Sequence, residues 1–162
     1  MLDQKELKRI LKYNQKTGKF IYNINRGPMK KGDYAGYKNH KGYEVICISG
    51  KLYMSHRLVY LYMTSKFPKE TIDHINHNKI DNRWKNLRNC KIKDNSKNQS
   101  LSKNNKSGFT GVEWSKRDKN WMVRITIEGK RKYLGSYLKF SDAVKVRKLA
   151  NIKHNYHKNH GK

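Results

Sequence analysis

The sequence predicts an α+β chain: a first region of short strands and short helices, then a small three-stranded antiparallel sheet with one helix. Three observations predict this. Apolar residues alternate in part with polar ones over 43–48 and 120–127, which is strand spacing. They recur at helical spacing over 3–13, 56–66 and 141–155. Gly, Asn, Asp and Ser punctuate these runs at short intervals.

Taken in order, Asp3 caps a helix over 3–13, with Glu6 three residues on and Leu7, Ile10 and Leu11 on one face. Lys16-Thr17-Gly18-Lys19 turns the chain into a strand at 20–22, and Gly27-Pro28 and Lys31-Gly32-Asp33 mark loops. The strand at 43–48 turns at Ser49-Gly50 into 51–54. Ser55 caps a helix over 56–66 that buries Leu58, Val59, Leu61 and Tyr62 and ends before Phe67-Pro68. Trp84 and Leu87 read as core, and Cys47 and Cys90 as small buried apolar groups. Three strands follow at 111–114, 120–127 and 130–136, turned by Asp118-Lys119-Asn120 and Glu128-Gly129. Ser141 caps a helix to 155 with Ala143, Val144, Val146, Arg147 and Ala150 at near-helical spacing. The expected organisation is a domain at 1–100, a linker at 101–107, a second domain at 108–157 and a frayed tail at 158–162, the fraying starting near Tyr156.

Charge narrows the function. The chain has 162 residues, 38 Lys+Arg against 12 Asp+Glu, and a net charge of +26. Solubility needs a net charge of only about 2–8. So large an excess predicts a polyanionic partner, nucleic acid before anionic membrane, which would need a basic helix with a broad apolar face. Both halves share it: residues 107–162 carry 14 basic and 4 acidic side chains, leaving 24 and 8 for 1–106. Three Trp, eleven Tyr and four Phe set among Val, Ile and Leu argue for a folded chain over a disordered one. No apolar run approaches the ~18 residues of a membrane span, and the N-terminus lacks the apolar core of a signal peptide. Two cysteines without a CxxC pair exclude a zinc staple and suit a reducing cytoplasm.

The unusual composition lies at 72–98. Asp73 and His74 are adjacent, and Asp81-Asn82-Arg83, Asn86-Leu87-Arg88, Asn95 and Asn98 follow. Adjacent residues of a strand point to opposite faces unless a bulge or strand end re-aims them. An Asp, a His and a later Asn could meet around one hard cation such as Mg²⁺, with a neutral imidazole taking a proton from water. Those are the parts that phosphodiester hydrolysis needs. On these residues the chain resembles HNH endonucleases, in particular the phage and intron-associated branch. Leu11-Lys12-Tyr13-Asn14, Thr17-Gly18, Gly36, Gly42-Tyr43, His56-Arg57-Leu58 and Phe67-Pro68 extend the resemblance over roughly 5–99. It implies a ββα-metal nuclease domain in a cytoplasmic, phage-type homing endonuclease. His74 would be the general base, Asp73 and Asn95 the ligands of Mg²⁺ or Mn²⁺, and Asn86 the residue that orients loop and base. His77 departs from the small residue usual at its position. Taken alone, Asp73 and the asparagines read as turn formers.

A second resemblance covers 108–155. Gly108-Phe109-Thr110-Gly111-Val112, Trp114, Trp121, Ile125, Leu134-Gly135-Ser136-Tyr137 and Ala143 are similar to the AP2 DNA-binding domain. Strand parity puts Val123, Ile125 and Ile127 on one face and Met122, Arg124, Thr126 and Glu128 on the other. The resemblance implies that Arg124, Thr126, Arg131 and Tyr133 contact DNA. Glu113 stands where plant members carry a basic residue. Together these readings predict a metal-dependent endonuclease acting on double-stranded DNA, a monomer nicking one strand or a dimer cutting both. A DNA-binding regulator with a decayed nuclease motif and a basic RNA-binding scaffold are the alternatives.

Overall fold

The computed structural model describes residues 2–162, and the chain divides after Lys91 into two compact units. In the first, helix α1 (Gln4–Ile10) runs into strand β1 (Leu11–Asn14), which hairpins with β2 (Lys19–Tyr22). The short β3 (Tyr34–Ala35) completes that sheet in the order β1-β2-β3. A second sheet holds β4 (Tyr37–Lys38), β5 (Glu44–Ile48) and β6 (Lys51–Met54), and helix α2 (Ser55–Thr64) follows at once. A third, two-stranded sheet pairs β7 (Thr71–His74) with β8 (Leu87–Cys90). The loop between these two strands ends in a 3₁₀ turn at Trp84–Asn86.

One core runs through all three sheets and both helices. Leu7 and Ile10 of α1, Leu11 of β1, Phe20 of β2, Ile46 of β5, Leu58 and Leu61 of α2, Ile72 of β7 and Leu87 of β8 are buried together. Leu87 is thus core as predicted, and Trp84 packs against the core's edge. The apolar spacing that predicts a helix as far as Tyr13 instead ends the helix at Ile10. Leu11 and Tyr13 are buried and Lys12 and Asn14 exposed, so the period changes from 3.6 to 2 and pairing with β2 wins. Asp3 does cap α1, its side chain accepting from Glu6 N–H at 2.8 Å. Ser55 does not cap α2: it is buried in the first turn, and Met54 holds the cap position without a side-chain bond. Cys47 is exposed rather than buried, on the outer face of β5.

The second unit opens with the short helix α3 (Ile92–Asn95) and a 3₁₀ turn at Ser96–Asn98. Strands β9 (Val112–Ser115), β10 (Asn120–Ile127) and β11 (Lys130–Tyr137) form an antiparallel sheet in the order β11-β10-β9. Helix α4 (Phe140–Lys153) packs on it and buries Val112, Val123 and Ala143. Its N-cap is Lys139, not Ser141. Val123 and Ile125 are buried, as strand parity predicts. Residues 101–107 are tied into this unit: Asn105 Oδ1 accepts from Gly108 N–H at 2.7 Å, and Ser107 Oγ donates to the Val112 carbonyl at 2.6 Å.

The tail is not frayed. His157 N–H donates to the Lys97 carbonyl at 3.0 Å and Gly161 N–H to that of Gln99 at 2.8 Å. Tyr156 donates its hydroxyl to the Thr126 carbonyl at 2.5 Å, and its ring covers the guanidinium of Arg147 at 5.0 Å. Arg147 is 2% exposed, and burial holds its pKa below the usual arginine value against the pull of Tyr156.

Candidate functional site

His74 closes β7, paired across the ladder with Leu87, and its side chain is buried while that of Asp73 is half-buried. Asp73 meets its own cross-strand partner: Arg88 donates from Nε and from its second terminal nitrogen to Asp73 Oδ2 at 2.9 and 2.8 Å. This is a two-pronged, charge-assisted contact on one carboxylate oxygen.

The loop between β7 and β8 is held from inside by Asn86. Its Oδ1 accepts from Asn76 N–H at 3.0 Å and its Nδ2 donates to the Asp81 carbonyl at 2.7 Å. Ile75 N–H donates to the Asn86 carbonyl at 2.9 Å. His77 takes a left-handed conformation, φ 64°, in the turn that begins at His74. Asp81 binds Arg83 and Asn76, and the Arg83 guanidinium first of all holds its carboxyl down at about 2.

What faces His74 is a residue to which the sequence reading gave no role. His74 Nε2 lies 3.0 Å from Asn82 Oδ1. Asn82 is fully buried, and its Nδ2 donates to Glu44 Oε1 at 3.2 Å. Glu44 is 3% exposed, and its other oxygen accepts from Lys19 Nζ at 2.7 Å and from the Tyr34 hydroxyl. Four segments, β2, β3, β5 and the loop, thus converge behind one imidazole. Glycines make room for this. A Cβ on Gly18 would come within 2.5 Å of the Arg83 nitrogen, and one on Gly36 within 3.2 Å of Glu44 Cγ. The Tyr13 hydroxyl donates to the Asn82 carbonyl at 2.7 Å, and burial raises its pKa to about 12.

On the other side of His74 stands His56 of α2, edge to face at 5.2 Å between ring centroids. Tyr43 lies beside both rings, with Lys79 Nζ over its face at 4.7 Å. Burial, with the nearby charge of His74 and Arg57 after it, holds the His56 pKa down at about 3. Burial also lowers that of His74. The bond to Asn82 and the charges of Asp73 and Asp81 oppose this, and Lys79 adds to it. His74 is therefore a neutral imidazole at pH 7, able to accept a proton.

Asn95 ends α3, in the second unit. Among the described residues no three His, Cys, Asp or Glu side chains gather as metal ligands do. The donors that the resemblance names are a carboxylate and an amide, both oxygen ligands. That set fits a hard cation that keeps several waters and binds substrate oxygens as well.

In the second unit all four residues expected at DNA fall on one sheet face. Arg124 pairs directly across from Tyr133, and Thr126 from Arg131. A bulge between Val123 and Arg124 sets this register. Tyr133, Thr126 and Arg131 are exposed. Glu113 of β9 accepts from Arg124 at 3.0 Å and lies 3.7 Å from Arg131, so it balances part of the charge of this face.

Residues 53–97, which carry β7, the loop and β8, match the sequence profile of the HNH endonuclease family. Over 60 residues the chain is 42% identical to Protein 3.8 of Escherichia phage T7, covering 37% of this chain and 50% of that protein. Over 75 residues it is 40% identical to the uncharacterized HNH endonuclease L560 of Acanthamoeba polyphaga mimivirus, 45% of this chain and 40% of that protein. The chain thus spans half or less of the curated relatives it matches. A solved structure described as DNA binding and cleavage by the HNH homing endonuclease I-HmuI aligns at TM-score 0.43 and 20% identity. It covers 92% of this chain and 88% of that one.

Proposed function

We propose that this chain is a metal-dependent DNA endonuclease of homing type, with the second unit's sheet adding grip on duplex DNA. The observation that carries the reading is a buried, neutral His74 held by Asn82 beside Asp73, within a segment that matches the HNH endonuclease family.

In this reading His74 accepts a proton from a water, whose oxygen bonds to phosphorus while one P–O ester bond breaks and the leaving oxygen takes a proton from solvent. Asp73 would hold the divalent ion, Mg²⁺ or Mn²⁺, and the resemblance names Asn95 as its second ligand. When bound, that ion neutralises charge on the scissile phosphate and on the leaving oxygen. Arg88 holds Asp73 in place through its Oδ2. Asn86 ties the loop ends together, and so keeps His74 aimed. Arg124, Thr126, Arg131 and Tyr133 would meet the duplex, arginine being suited to guanine edges and to phosphates. A monomer with one such site nicks a single strand.

A plasmid assay with Mg²⁺, Mn²⁺ and chelator tests the reading. Metal-dependent conversion of supercoiled DNA to the nicked form is expected. His74→Ala should lower the rate about 10²–10⁴-fold, the usual share of a general base, with DNA binding retained. Cleavage unaffected by His74→Ala refutes the site. Duplex binding without any cleavage favours a regulator.

A further inference from the structure

We propose that Glu44 is a positioning residue that acts through Asn82 to fix which nitrogen of His74 carries the proton. The proposal rests on the endonuclease reading only for its kinetic consequence.

The geometry allows one self-consistent arrangement. Glu44 is a carboxylate paired with Lys19, so it can only accept. It therefore takes the NH₂ end of the Asn82 amide, at 3.2 Å. That turns the carbonyl end of the amide to His74 Nε2, at 3.0 Å. A carbonyl oxygen can only accept, so Nε2 must carry the hydrogen. In a neutral imidazole the lone pair then belongs to Nδ1. The proton drawn from water would therefore arrive at Nδ1.

The chemistry of position 82 fits this use. An amide donates to a carboxylate and accepts from an imidazole at the same time. An Asp could not donate, and an apolar residue could do neither. Asn82 has no exposed surface, so water does not compete for its ends. Glu44 has its own anchors in Lys19 and the Tyr34 hydroxyl, on two other strands. A Gln at 44 would remove the constraint. Its side-chain amide can donate as well as accept, so the Asn82 amide can turn over. It would then donate to Nε2 and move the hydrogen of His74 to Nδ1.

The test is ¹⁵N NMR of the histidine side chains in the full chain at pH 8, without DNA or metal, His74 being assigned against His74→Ala. The wild type should show hydrogen on Nε2 and an unprotonated, pyridine-like Nδ1. Glu44→Gln should show a tautomer mixture, and single-turnover cleavage should slow by about 10–10²-fold, less than the ~10²–10⁴-fold of losing a general base outright. Its DNA affinity should stay the same. A wild-type spectrum with hydrogen on Nδ1 overturns the proposal without any variant, so a Glu44→Gln chain that fails to fold leaves it falsifiable. An unshifted tautomer in a folded Glu44→Gln chain overturns it too, as does a mixed tautomer with unchanged cleavage. If His74→Ala still cuts DNA, the endonuclease site falls, while the spectrum alone still decides the tautomer.

Discussion

At the scale of single residues, the site is built on groups with one tolerable identity. Gly18 sits at φ 75° against the backbone of Asn82 and Arg83. Gly18→Ala should cost well over 1 kcal/mol, since Ala is strained at positive φ and its Cβ would press on fixed backbone. Urea titration of wild type and variant reads this, and an unchanged midpoint would refute the close approach. His56 makes an equally direct prediction about pH. Its folded-state pKa is about 3, below the ordinary imidazole value of 6.5. Between those values the unfolded chain holds the proton and the folded chain does not. Stability should therefore be complete above about pH 6.5 and fall towards pH 3, by up to about 1.4 kcal/mol per pH unit for this one group. His74 pulls the same way. Thermal melts from pH 7 to 4 would show the fall, and His56→Gln should flatten it. A level Tm across that range would exclude a buried neutral His56.

At the scale of elements, strand pairing decides which side chains act together. The bulge in β10 puts Arg124 opposite Tyr133 and Thr126 opposite Arg131, whereas a one-residue slip would send each set to the other face. If that face meets DNA, Arg131→Ala should weaken binding to all duplexes alike and reduce the slope of log affinity against log salt by about 1. An unchanged slope would remove Arg131 from the interface. The elements also mark where a local pattern misleads. Leu7, Ile10 and Leu11 suit a helix face, yet Leu11 belongs to β1, because Tyr13 and Phe20 gain more from facing each other in a hairpin, centroids 5.1 Å apart. The caps assigned to Ser55 and Ser141 failed for a related reason. The cap lies one residue before Ser55 and two before Ser141, and Ser55 is drawn into the core.

At the scale of the whole molecule, 12 carboxylates cannot neutralise 38 cations, so the basic surface is a property of composition alone. The sequence by itself determined that charge and the α+β class. It also determined the run of strands, and the face on which Val123 and Ile125 lie, because period and charge are local quantities. It singled out Asp73 and His74 because their adjacency and the asparagines after them form an ordered pattern along the chain. Only the tertiary structure decided what stands behind His74. Glu44 lies 38 residues from Asn82, and Lys19 another 25 before Glu44, so no window of the sequence contains the relay. Asn82 read as a turn residue because Asn usually is one. Its role depends on total burial, which takes the loop, β5 and the β1–β2 hairpin together to create. The fate of the tail was equally non-local: Tyr156 is held by Thr126 and Arg147, whose positions only the packed sheet and helix bring within reach. Hydrogen bonds between residues distant in the chain form only once folding has brought them together and removed water, which is why these parts waited for the structure.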